Sequence, residues 1–117
     1  MLGLDLEHWI SPDLAAEVSC QIINAQENML LYRTNMEFHQ GLTLVFSAKE
    51  SLFKALYPKV RVFFGFESAQ IISIDESTGR FTISLTHNLS SKYFKGWEIS
   101  GRYFIIRNTV LTLIYSS

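Results

Sequence analysis

The chain is 117 residues long, with 10 basic and 11 acidic side chains and a formal net charge of −1. Hydrophobic residues make up 48% and charged ones 18%, which excludes a disordered segment. The near-neutral balance excludes a phosphate-backbone surface, so nucleic acid is not an expected partner. One cysteine, Cys20, excludes an intrachain disulfide and fits a reducing cytoplasm. No apolar run approaches the ~20 residues of a membrane span. Acidic residues at 5 and 7 stand where a signal peptide would be basic. A single cytoplasmic domain over 1–117 is expected.

In chain order, Met1 to Glu7 reads as a short strand that buries Leu2, Leu4 and Leu6 and alternates them with Gly3, Asp5 and Glu7. Ser11-Pro12-Asp13 is a helix start, and the helix is expected to reach about Asn24 with Leu14, Val18 and Ile22 inside. Asn28 to His39 has weak periodicity, with a helical turn at Met29–Tyr32 and a break at Arg33–Asn35. A second helix carries Leu42, Val45, Phe46, Leu52, Phe53 and Leu56 on one face. Pro58 predicts its end at Tyr57. From Val60 the period becomes two, through Val62, Phe64 and Phe66. A hairpin turning at Asp75–Gly79 follows, and then a pair at about Gly101–Ile106 and Thr109–Tyr115 turning at Arg107-Asn108. The fold class is α+β: a short strand, two helices and an antiparallel meander.

Asp5 and Glu7, two apart on a strand, project from one face, where paired acids repel unless a cation or proton sits between them. Glu50 and Lys54 are neighbours four apart on the second helix, at the edge of its apolar stripe. Lys49 falls inside the stripe and needs an anionic partner or a route to water. If this helix crosses the first strand, Asp5, Glu7 and Glu50 can converge into an all-oxygen site of the kind that suits Mg²⁺. On spacing alone, a solvated acid pair and a surface Glu–Lys pair describe the same residues.

Gly3-Leu4-Asp5-Leu6-Glu7 and Phe46-Ser47-Ala48-Lys49-Glu50-Ser51-Leu52-Phe53-Lys54 resemble the two signature motifs of 4′-phosphopantetheinyl transferases. The 45-residue step from Asp5 to Glu50 is similar to that of the two-lobed branch serving siderophore and surfactin synthetases, the enterobactin type in particular. Gly65–Ala69 and Val110–Leu113 extend the likeness, which covers the C-terminal lobe of that branch. The resemblance implies transfer of the phosphopantetheine arm of coenzyme A to a serine of an acyl, peptidyl or aryl carrier domain. It implies Asp5, Glu7 and Glu50 as Mg²⁺ ligands, Lys54 on phosphate, Lys49 as a further coenzyme A contact, and Glu50 as a candidate for activating the serine. It also implies a carrier-receiving surface between the motifs, at Asn28–Gln40. The N-terminal lobe of that branch supplies most of the basic pocket for adenine and the 3′-phosphate. The rival reading is therefore a non-catalytic lobe that folds and self-associates.

His8 lies on the opposite strand face from the acids, and His39, His87 and Cys20 have no companion at ligand spacing. Lys92 and Lys95, before a Gly-Trp pair, could meet an acidic carrier or simply occupy a solvated loop. Nine Phe in a chain with few charges predict an apolar face seeking a partner. A two-fold dimer is the first expectation and a trimer the second.

Overall fold

The computed structural model describes residues 1–116. The strand β1 (Leu2–His8) leads into α1 (Pro12–Ile22), α2 (Ala25–Tyr32) and α3 (Phe38–Val60), and a 3₁₀ turn (Phe66–Ser68) precedes β2 (Ala69–Asp75), β3 (Arg80–Leu85), β4 (Glu98–Ile106) and β5 (Thr109–Tyr115). The strands form one antiparallel sheet in the order β1-β5-β4-β3-β2, so the first strand pairs with the last, Leu4 opposite Leu113 and Glu7 opposite Val110. The α+β class and both hairpins stand as expected. Gly79 supplies the left-handed turn residue (φ 68°) of the first, and Arg107 (φ 57°) that of the second.

One face of the sheet carries α3, with α1 packed on α3 and α2 against β2. Ser11 caps α1 through Leu14 N–H, and Pro12 opens it. The weakly periodic segment resolves into α2, whose start is a capping box: Asn24 accepts from Glu27 N–H while Glu27 accepts from Asn24 N–H. Leu42, Val45, Leu52 and Leu56 of α3 are fully buried against Phe81, Ile83, Val110 and Ile114 of the sheet. In α1, Ala15 and Ile22 are buried while Leu14 stays exposed.

Three expectations are corrected. Helix α3 passes through Pro58 to Val60 and ends on Arg61 in the left-handed region (φ 57°). In the last turn a proline forfeits one bond, which a 23-residue helix packed along its length tolerates. Residues 61–65 form no strand, because the aromatics there pack on α3: Phe64 stands edge-on to Phe53 at 4.8 Å, and Phe63 is left 93% exposed. The third correction is the facing of β1. Gly3 and Asp5 point inward to α3, whereas Leu2, Leu4 and Leu6 lie on the open face, 61%, 51% and 62% exposed.

Candidate active site

The inward face of β1 meets α3 at unusually short range. A Cβ on Gly3 would stand 1.8 Å from Ser51 O, so only glycine lets the helix lie this close. One turn along the contact, buried hydroxyls tie α3 to β5: Ser47 Oγ and Thr112 Oγ1 are 2.9 Å apart, Thr112 Oγ1 donates to Ser47 O at 3.0 Å, and Ser51 Oγ bonds Thr112 Oγ1. These contacts fix the separation of strand and helix, and with it the spacing of the motif residues.

Across that junction Lys54 Nζ donates to Asp5 Oδ1 at 2.8 Å and to Leu4 O at 3.2 Å. Asp5 is 6% exposed, while the Lys54 side chain is half in water. The other Asp5 oxygen, Oδ2, is buried with no donor from the described residues. A buried carboxylate oxygen left this way is unfavourable by roughly 1–3 kcal/mol or more and calls for a proton or a cation.

The neighbouring acids answer to the same field. Burial, followed by the closeness and charge of the Asp5 carboxylate and the charge of Glu50, pushes Glu7 up to about 7, with Lys54 opposing. Burial and the Asp5 charge raise Glu50 above the ordinary range, again against Lys54. The hydrogen bond to Asp5 raises Lys54. Asp5, Glu7, Glu50 and Lys54 therefore share one electrostatic site. Among the described residues no three His, Cys, Asp or Glu side chains close into a metal cage, so the acids are neighbours rather than a formed ligand set. The orphaned Asp5 oxygen and the raised acids fit a hard cation that keeps several waters and accepts only a few carboxylates.

Beside Lys54 opens an apolar groove of about 390 Å³, lined by Phe53, Lys54, Tyr57, Pro58, Val62, Phe63 and Phe64. Tyr57 and Phe63 form its wall, with ring centroids 5.2 Å apart. A second hollow of about 350 Å³, between α2 and the start of α3, is lined by Asn28, Leu31, Tyr32, Thr34, Met36 and Phe38.

Lys49, expected on coenzyme A, is placed elsewhere. Its side chain is 2% exposed, and Nζ donates to Ile22 O (2.7 Å), Glu27 Oε1 (3.1 Å) and Phe66 O (3.1 Å). All three ammonium donors are engaged. Burial lowers its pKa and Glu27 opposes that shift. Glu27, in turn, accepts from Ile71 N–H at 2.8 Å, so the pair joins α1, α2, α3, the 3₁₀ turn and β2. Glu27 escaped notice in the sequence; its signal was the Asn24-x-x-Glu27 capping box. His8 is exposed, His39 pairs with Glu37, His87 bonds Thr86, and Cys20 is exposed; none joins the acids. Lys92 lies over the Tyr93 ring at 5.7 Å.

Known proteins match this chain along its length. The profile of the 4′-phosphopantetheinyl transferase superfamily covers residues 1–113. Enterobactin synthase component D of Salmonella typhi is 39% identical over 74 residues, 63% of this chain and 31% of that protein. The component D protein of Escherichia coli K12 is 32% identical over 104 residues, 89% of this chain and 47% of that protein. The chain thus spans less than half the length of the curated relatives it matches. No helix is long and apolar enough to cross a membrane among the described residues. With both motifs inside the matched region, the chain belongs to the 4′-phosphopantetheinyl transferase superfamily.

Proposed function

We propose that this chain is the catalytic lobe of a Mg²⁺-dependent transferase that moves 4′-phosphopantetheine from coenzyme A to a serine of an apo carrier domain of the siderophore-synthetase type. The observation that carries the reading is the buried, donor-less Asp5 Oδ2 beside Glu7, Glu50 and Lys54. Asp5, Glu7 and Glu50 would hold the cation, which supplies Lewis-acid neutralisation of the coenzyme A diphosphate. Lys54, half in water and bonded to Asp5, would meet a phosphate oxygen as charge develops there. Glu50, whose proton affinity is raised by burial and by Asp5, is the acid we assign to receive the serine proton. Attack of a serine on phosphorus asks chiefly for alignment and charge neutralisation, which these residues provide.

Two surfaces support the substrate class. The groove beside Lys54 lies within the size range of ligand pockets, and its aromatic wall suits the flexible, largely apolar pantetheine arm. The hollow around Tyr32, Met36 and Phe38 leaves Tyr32 82% and Phe38 40% exposed, so these side chains are free to receive a carrier helix. Lys49 acts in this reading as a positioning residue on the buried side of α3.

The test is mass spectrometry of an apo carrier domain incubated with coenzyme A, Mg²⁺ and this chain. The carrier should gain the mass of one phosphopantetheine, and Tyr32→Ser should slow the gain at limiting carrier but not at saturation. No gain with this chain, but gain with a longer relative bearing a second lobe, would favour the rival reading of a folded, non-catalytic lobe. The relatives' greater length is the specific observation on the rival's side.

A further inference from the structure

The two edges of the sheet are treated differently. At the β2 edge, α2 lies alongside: Glu27 takes the Ile71 N–H, Gln26 and Asn24 bond Gln70, and a register shift between Ile71 and Ser73 breaks the line. A capped and kinked edge of this kind resists pairing with another strand.

The β1 edge has no such cover among the described residues. Met1 and Ser116 exchange both backbone hydrogen bonds, and Trp9 N–H donates to Asn108 O, so the odd residues of β1 are those bonded to β5. By the alternation of antiparallel ladders, the N–H and C=O of Leu2, Leu4, Leu6 and His8 point out of the sheet. Of these, Leu4 O meets Lys54 Nζ, the one side-chain hydrogen bond found on that edge among the described residues. The open face beside this edge is apolar: Leu2, Leu4 and Leu6 adjoin Leu111 and Leu113 of β5 and Phe104 of β4 by register. Further from β1 the same face turns polar, with Ser100 and Arg102 on β4 and Arg80, Thr82 and Ser84 on β3. The apolar half-face and the unpaired edge are one continuous surface. The exposed side chains of Leu2, Leu4, Leu6 and Phe104 alone add up to roughly 400 Å², a contiguous apolar patch of the size that marks an interaction surface.

We propose that the β1 edge is a pairing surface for the β1 edge of a second copy of this chain, joining two sheets antiparallel about a two-fold axis. An antiparallel pair of identical strands is two-fold symmetric, so each copy offers the other the same unpaired donors and acceptors. The register with Leu4 opposite its own counterpart sets Leu2 against Leu6 and extends the leucine row across the axis. It also sets Asp5 against Gly3, so that no carboxylate faces a carboxylate, whereas a register centred on Asp5 would bring the two Asp5 side chains together. Lys54 gives up Leu4 O on pairing and keeps Asp5. The inference does not depend on the transfer reaction.

The test combines sedimentation velocity at micromolar concentration with amide hydrogen exchange on the parent chain. A dimer is expected in which the Leu4 and Leu6 amides exchange at least about tenfold more slowly than in the diluted monomer, while Asp5 and Glu7, bonded to β5, are slow in both. Leu6→Pro removes an edge donor and leaves the β5 ladder intact; it should be folded and monomeric. If that variant fails to fold, the exchange pattern of the parent still decides. A monomer, a trimer, or a dimer whose Leu4 and Leu6 amides exchange freely would overturn the proposal, the last by placing association elsewhere.

Discussion

Gly3 on β1 and Ser51 on α3 touch backbone to side-chain position, with no room between them for a single methyl group. Every distance in the acid site follows from this contact, because Glu50 and Lys54 flank Ser51 and Asp5 stands two residues from Gly3. Gly3→Ala must push strand and helix apart, since the obstacle is a backbone carbonyl rather than a movable side-chain tip. A loss of about 2 kcal/mol or more is expected, at the upper end of overpacking effects. Thermal melts check the loss, and isothermal titration should show weakened Mg²⁺ binding in whatever fraction folds. A variant with parent-like stability and parent-like Mg²⁺ affinity would show that the contact does not set the site.

On the proposed reading, Mg²⁺ at millimolar concentration should raise the melting temperature of the parent chain, because a cation held by the folded acids would stabilise the fold by mass action. Asp5→Asn keeps the shape and removes the charge. It should abolish the Mg²⁺-dependent rise and leave the metal-free melt within a few degrees of parent, since the pair it loses is with a Lys54 that is half in water and worth under about 1 kcal/mol. Scanning calorimetry with and without Mg²⁺ separates the two effects.

The raised acids give the metal-free chain a pH signature. Glu7, at about 7 in the fold against 4.5 ordinarily, keeps its proton in the folded state where the unfolded chain has lost it. Between about 4.5 and 7 the folded state therefore binds more protons, and this group's stabilising contribution falls as pH rises through that window. Glu50, raised in the same direction, adds to the trend. Melting temperature should drop from pH 5 to pH 8 without metal, and Glu7→Gln should flatten the profile. Cation binding must expel that proton, so Mg²⁺ affinity should climb over the same range in titrations run in buffers of different ionisation heat.

The buried Lys49–Glu27 pair predicts asymmetric mutational costs. Lys49→Met or Glu27→Gln strands the opposite charge in the interior and should cost about 3–5 kcal/mol in urea unfolding. The double change to Met and Leu should cost less than either single change, as the interior no longer holds a lone charge. A catalytic role for Lys49 would instead show as lost turnover at parent-like stability.

The sequence specified most of what local chemistry can specify: the capped start of α1, the apolar stripe of α3, and both hairpins with their turn residues. It failed where tertiary contact outweighs pattern. In β1 an alternation of Leu with Asp reads as leucine inward, yet the buried side is set by Gly3, the one residue that admits α3 at such range. Near Val60 the aromatic alternation reads as a strand, but these rings had a helix surface to pack on rather than a neighbouring ladder. Lys49 stood out correctly as a lysine in need of an anion. Its partner lay 22 residues upstream, within a cap motif whose usual meaning is local.

The pairing of first strand with last has a consequence for how the site comes into being. Met1 and Ser116 are hydrogen-bonded neighbours 115 positions apart, so β1 has no ladder to join until β5 has been made. Contacts of such long sequence separation close late and slowly. Helices and the β2–β4 meander form from nearby residues in the meantime, leaving Asp5 and Glu7 adrift until the final closure. In pulse-labelled refolding the β1 and β5 amides should gain protection together in the slowest phase, after those of β2 and β3. The acids therefore meet Glu50 and Lys54 only in a chain that has otherwise finished folding, which keeps a half-built lobe from presenting a half-built site.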